Sequence, residues 1–193
     1  MNLKKEIREW GVFIAIIGVL YFTGLYTEVA AFAQRVILTS GLITPNTEIE
    51  ITNKEKLDYN LKLIDLKGNI TPMDSFKNKV IFINEWATWC APCIAEMPSI
   101  QNLYDEIGDN ENIVFVMLTF EEDKNKIKKF ITKKDFTFPV YGIASKLPEV
   151  LRSSSIPTTF VISKSGEIIS KKVGMAKYDT EKFKSFLLEE ASK

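Results

Sequence analysis

Hydrophobic and polar positions along the 193-residue chain change rhythm three times. Residues 11–26 (GVFIAIIGVLYFTGLY) carry no charge at all. With Trp10 and Thr27 they form one uncharged stretch, about 27 Å long as a helix, close to the hydrocarbon thickness of a bilayer. A second helical pattern, VAAFAQRVILTSGLI, keeps its apolar residues on one face. Residues 44–59 (TPNTEIEITNKEKLDY) are polar and start a linker. From Asn60 onward short apolar runs alternate with amphipathic ones. LKLIDLKGNITPM predicts a hairpin turning at Lys67, Gly68 and Asn69. VIFIN (80–84) and IVFVMLTF (113–120) are continuous β-branched and aromatic runs, as fits buried central strands. Ile94, Met97, Ile100, Leu103, Tyr104 and Ile107 share one helical face, and Gly108 ends that helix in the position where glycine stops helices. A charged amphipathic helix follows at 123–134 and a short one at 147–152. Two strands at 158–163 and 167–173 flank Lys164, Ser165 and Gly166, and a closing helix spans 180–191. Strands alternating with helices, then a hairpin and a helix, predict an α/β domain. Its mixed sheet is covered by helices on both faces. The boundaries expected are 1–43 for an anchor and its adjoining helix, 44–59 for the linker, and 60–193 for the domain.

Charge gives the first segment an orientation. Lys4, Lys5 and Arg8 precede it, so the N-terminus stays in the cytoplasm and the domain lies outside, on a single pass through the cytoplasmic membrane. Trp10, Tyr21 and Tyr26 stand at or near its ends, where interfacial aromatics belong. Arg35 opposes a second crossing, and the second helix is expected on or just above the membrane surface. The small residues Ala31 and Ala33 around Phe32 also have the form of a signal cleavage site, the rival reading of this region.

The composition narrows the chemistry. Basic and acidic residues balance at 25 each, which argues against nucleic acid as a partner. The chain has no histidine, so Ser-His-Asp and Cys-His nucleophiles and histidine zinc sites are excluded. Its two cysteines cannot close a four-thiolate metal site, and no metal is expected. No flavin or nicotinamide fingerprint is present, and no cofactor is expected beyond the cysteine pair itself.

Both cysteines fall in WATWCAPCIAEMP, as Cys90 and Cys93. A strand leads into this stretch and a helix begins within it. The start of a helix stabilises a thiolate through free N–H groups and the helix dipole, lowering the thiol pKa. Pro92 sits in the first turn, where its missing N–H is harmless. Cys93, about one turn on, is placed to close a disulfide with Cys90. This assigns Cys90 as the attacking sulfur and Cys93 as the resolving one.

WATWCAPCIAEMP, together with the SSSIPTTFVISKSGEI segment some sixty residues later, resembles the thioredoxin superfamily, and within it the membrane-anchored TlpA/ResA-type disulfide reductases. The resemblance covers roughly residues 61–188. It implies a thioredoxin-like fold, a cis Ile156–Pro157 peptide facing the cysteines, and a client strand pairing with the Ile156 backbone. Trp89 then belongs to an exposed apolar rim, with Pro92 beside it, while Trp86 packs beneath the loop. Glu96 matches a glutamate that such proteins carry near the cysteine pair, and its helical offset returns it towards Cys93 as a proton acceptor or donor. Two positions depart from the pattern. Asn84 stands where thioredoxin has a buried aspartate. Glu85 stands where an apolar aromatic is usual, and it is either a second proton relay or a strand-end residue reaching solvent.

The resemblance implies a reductase of exported protein disulfides, including apocytochrome c in cytochrome c maturation. It draws electrons from a membrane thiol carrier. A peroxiredoxin-like peroxidase, which needs Thr88 and Arg152 near the sulfur, and a tethered binding or chaperone module using the Trp89–Pro157 rim are the alternatives.

Overall fold

The computed structural model describes residues 3–23, 25–39, 43–45 and 55–193. A seven-stranded mixed sheet organises the domain. In chain order its strands are β1 (Lys62–Asp65), β2 (Ile70–Pro72), β3 (Val80–Trp86), β4 (Ile113–Thr119), β5 (Val140–Ile143), β6 (Thr158–Ile162) and β7 (Ile168–Val173). They lie in the order β2-β1-β5-β4-β3-β6-β7. The helices are α1 (Leu3–Thr23), α2 (Leu25–Thr39), α3 (Ala91–Ile107), α4 (Lys124–Lys133) and α5 (Glu181–Ser192). The β1–β2 hairpin turns at the expected place, where Gly68 adopts a φ of +96° that other residues resist. Strand β5 was not anticipated. Its sequence, VYGI, is short and glycine-interrupted, and it becomes a strand by pairing with β4 on one side and β1 on the other.

The chain steps from β3 through α3 to β4, and from β4 through α4 to β5, in one direction across the sheet. Right-handed crossovers therefore put both helices on the same face. There α3, α4 and α5 pack on Val80, Phe82, Trp86, Phe115 and Met117. The alternate residues Ile81, Ile83, Val116 and Leu118 face the other layer. Among the described residues that layer holds two 3-10 turns, Met73–Phe76 and Glu149–Leu151, and the segment around Leu57 and Leu61. Helical cover on both faces is thus unequal: long helices on one side and single turns on the other.

Gly108 closes α3, but not through a left-handed conformation; its φ is −65°. A Cβ there would stand 2.5 Å from the Tyr104 carbonyl oxygen, so the position needs glycine for close approach.

The N-terminal region departs from expectation. The uncharged stretch 10–27 is not one helix: α1 ends at Thr23, and α2 leaves it at 94°. Among the described residues no single helix is long and apolar enough to cross a membrane. The charge-free part of α1, residues 10–23, rises only about 21 Å. Instead of lying free beside the domain, α2 docks on it. Ala31 and Leu38 are buried against Ile94 and Ala95 of α3, with Ala91, Phe130 and Met175 around them. Glu28 pairs with Lys134 at 2.5 Å. Only this narrow stripe of α2 is buried on α3; Val29, Phe32, Val36 and Ile37 each leave half or more of their surface exposed.

Of the expected linker, residues 46–54 lie outside the described residues. Residues 55–57 belong to the domain. Leu57 is buried, its N–H donates to the Gly166 carbonyl at 2.9 Å, and Glu55 accepts from Ile168 N–H at 2.9 Å. The strand-like pairing of this edge outweighs its charged composition.

Candidate active site

The end of β3 runs into the loop 87–90, which turns the chain into α3. Cys90 is the N-cap of that helix, and its Sγ accepts from Cys93 N–H at 3.3 Å. Pro92 occupies the first turn, where no hydrogen bond is lost. The two sulfurs are bonded, with Cα atoms 5.3 Å apart. Cys93 is fully buried and Cys90 retains 4% exposure. Helix α3 continues through Pro98, which cannot donate to the Ile94 carbonyl, so the ladder has a gap one turn below the disulfide.

The Ile156–Pro157 peptide is cis. Trp89, 57% exposed, and Ile156 line the same groove, of about 650 Å³, with Phe120, Leu147, Arg152 and residues 153–155. Trp86 is fully buried and its ring lies 5.7 Å from that of Phe130. The loop before Cys90 is held by Glu121, whose carboxylate accepts from Thr88 N–H at 2.5 Å and Thr88 Oγ1 at 2.8 Å. Lys126 and these two donors hold the Glu121 carboxyl below its usual range, against the opposing effect of burial. Thr88 is therefore engaged, and Arg152 pairs with Glu149 at 3.1 Å.

Glu96 is fully buried on α3, one turn past Cys93. It is not a solvated helix carboxylate. Asn84 Nδ2 donates to its Oε1 at 2.7 Å, and Ala176 N–H donates to its Oε2 at 3.0 Å. Asn84 Nδ2 also reaches Thr159 Oγ1 at 2.9 Å, which accepts from Tyr178 Oη at 2.6 Å. Burial raises the carboxyl to about 8, although both donors and Lys172 pull the other way. Burial also lifts the Tyr178 phenol well above its usual value, and the nearby Glu96 adds to that. Asn84 and Ala176 were not legible as partners of Glu96, nor Thr159 and Tyr178 as the bonds that extend the network from Asn84. Asn84 stands where the sequence pattern shows only a missing aspartate, yet its amide holds the buried Glu96 carboxyl in place.

Glu85 does not reach solvent. It is fully buried, and Ser153 Oγ donates to its Oε2. Burial pushes it up to about 7, with Ser153 and Lys171 acting in the opposite direction. Side chains alternate along β3, so Glu85 leaves the sheet opposite Asn84 and Glu96, away from α3. The structure brings Cys90, Cys93, Pro92 and Glu96 together on one helix start, and Trp89 and Ile156 together in one groove. Glu85 stands on the other side of the strand.

A family model described as Redoxin matches residues 45–186. The thiol-disulfide oxidoreductase ResA of Geobacillus kaustophilus is 30% identical over 175 residues, spanning 89% of this chain and 87% of the relative. The thioredoxin-like protein YneN of Bacillus subtilis is 28% identical over 177 residues, 91% of this chain and 96% of the relative. Among solved structures, StoA from Bacillus subtilis superposes with a TM-score of 0.54 at 25% identity, over 65% of this chain and 93% of that one. A thiol:disulfide interchange protein from Chlorobium tepidum gives 0.57 at 24% identity, over 72% and 99%, a likeness of fold.

Proposed function

The chain belongs to the redoxin family and is a protein thiol–disulfide oxidoreductase of the thioredoxin superfamily, ResA/TlpA type, and from that premise we propose that it reduces disulfides of exported proteins from a site on the outer face of the cytoplasmic membrane. The observation that carries the reading is the bonded sulfur pair at the start of α3: Cys90 is the helix cap and keeps a 4% exposure, while Cys93 behind it has none.

In the reducing direction Cys90 thiolate attacks a client disulfide. A Cys90–client bond forms, the client S–S bond breaks, and the expelled client sulfur takes a proton. Cys93 then gives up its proton and attacks Cys90, forming the Cys90–Cys93 disulfide and releasing the second client thiol. Two electrons pass from the dithiol to the client. A membrane thiol donor restores the dithiol. Glu96 is the group that exchanges a proton with Cys93: it lies one turn along the same helix, and burial raises its carboxyl to about 8. Trp89 and Ile156, with Pro92 beside the cysteines and the buried Pro157 setting the cis peptide behind Ile156, frame the groove in which an extended client lies, and cytochrome c maturation is one setting that supplies such clients.

Support for membrane attachment comes from α1. Trp10, Phe13, Ile14, Ile17 and Val19 all leave half or more of their surface exposed, which is unfavourable in water at about 25 cal/mol per Å². The basic residues in the first turns of α1, Lys4, Lys5 and Arg8, favour a cytoplasmic N-terminus.

Replacing Cys93 with Ser tests the reading. The full-length variant is expected to accumulate Cys90–client mixed disulfides, seen on non-reducing gels, while the wild type reduces insulin. A variant that traps nothing overturns exchange through Cys90. A reduction potential of the pair near that of oxidising folding catalysts, about −120 mV, reverses the direction of electron flow. Release of the chain from membranes by alkaline carbonate sinks the anchor.

A further inference from the structure

Glu85 is the one charged residue of β3, and the exchange steps above leave it unused. Besides the bond from Ser153 to Oε2, its Oε1 has no hydrogen-bond partner among the described residues. In the sheet it stands opposite Thr158 on β6 and beside Leu118 on β4. Thr158 Oγ1 donates to the Ser155 carbonyl at 2.7 Å. Glu85 and its sheet partner therefore fasten both ends of the 153–155 stretch, which forms one wall of the groove shared by Trp89, Phe120, Leu147 and Ile156. Two cations lie near. Lys171 on β7 favours the ionised carboxyl, and Arg152 is drawn to Glu149. The remaining wall is apolar or hydroxylic and suits an uncharged client segment.

We propose that Glu85 is a positioning residue of the client groove: its carboxyl holds the 153–155 wall through Ser153, and it takes up a proton when an apolar, uncharged client segment covers that wall. The proposal rests on the reading that clients bind beside Trp89 and Ile156. Its physics is desolvation. The carboxyl is sealed, with one donor and one empty oxygen, so its charge is stabilised only at a distance, by the water standing in the groove beyond the 153–155 wall. Covering the wall removes that water and disfavours the charge. By linkage, binding that favours the protonated form tightens as pH falls through the carboxyl's titration.

The test uses the full-length oxidised protein, in which the bonded cysteines do not titrate. An extended, cysteine-free, uncharged peptide with aromatic and aliphatic residues serves as probe. Calorimetry in two buffers of different ionisation heat reads proton uptake at pH 6, 7 and 8. The wild type is expected to take up a fraction of a proton near pH 7 and to bind several-fold tighter at pH 6 than at pH 8. Glu85→Gln binds with no uptake and no pH step. Ser153→Ala, which removes a bond to the charged form, moves the step to higher pH. Uptake that persists in Glu85→Gln, or that vanishes only in Glu96→Gln, overturns the proposal, as does a wild type with none. A peptide that fails to bind sinks the groove assignment but leaves insulin reduction intact; loss of insulin reduction sinks the earlier reading instead.

Discussion

The two buried carboxyls on either side of β3 make an instructive pair. Glu96 has a donor on each oxygen, from Asn84 and from Ala176 N–H. Glu85 has a single donor and an empty oxygen. If hydrogen bonds ruled, Glu96 would be the stronger acid. The order is reversed: Glu96 is lifted to about 8 and Glu85 to about 7. Desolvation is the first cause for both, and Glu96 lies deeper within the protein. Hydrogen bonds to a carboxylate moderate the penalty of burial without cancelling it. The same difference sorts the roles. Glu96 shares a helix and a face with the sulfurs, whereas Glu85 faces a wall of the groove.

The widest gap between the two pockets is expected in stability against pH. A carboxyl raised in the folded state binds its proton more tightly there than in the unfolded chain. Its stabilising contribution is complete below the ordinary value of 4.5 and is lost as pH rises through the folded value. For Glu96 the window runs from 4.5 to about 8. Within it unfolding free energy falls by up to about 1.4 kcal/mol per pH unit. Denaturant titrations at pH 5 and pH 8 are expected to show that fall in the wild type and a much flatter profile in Glu96→Gln. Equal profiles break the comparison. Glu85→Gln is expected to remove a shorter segment, from 4.5 to about 7, with the same sign. A Glu85 effect larger than that of Glu96 inverts the order argued from depth.

Thr159→Val sharpens the polar side. It removes the acceptor of both Asn84 and Tyr178 and is expected to destabilise by about 1–3 kcal/mol at every pH, from buried donors left unpaired. Denaturation midpoints measure it, and a neutral outcome dissolves the network. Ser153→Ala is expected to be smallest, about 1 kcal/mol or less near neutral pH, because the partner it leaves is already tuned to accept a proton. A loss comparable to that of Thr159→Val shows that Glu85 is held in its charged form.

The cysteine pair, the hairpin turn, the apolar strands β3 and β4 and the amphipathic α3 and α4 were readable because their signals are local. A short spacing, a turn glycine or a helical stripe speaks for itself. Strand β5 was not readable, since VYGI becomes a strand only by lying between β1 and β4. The break between α1 and α2 was hidden because residues 10–27 are uniformly uncharged, and only the docking of Ala31 and Leu38 on α3 gives α2 its own direction. Glu96 was readable as a neighbour of Cys93, while its two partners, Asn84 and Ala176, come from β3 and the chain after β7.

By itself, then, the amino-acid order determined that the reactive pair would stand at the junction of a strand and a helix, in a chain with no histidine to compete for its chemistry. Helix dipole, cap and spacing act over a few residues and need nothing more. Which carboxyl faces the sulfurs, what holds it, and where the N-terminal helices turn were decided by tertiary structure. Those outcomes depend on which face of a strand is buried against what. Burial, the largest influence on both carboxyls, is a property of the packed molecule that no short stretch of sequence possesses.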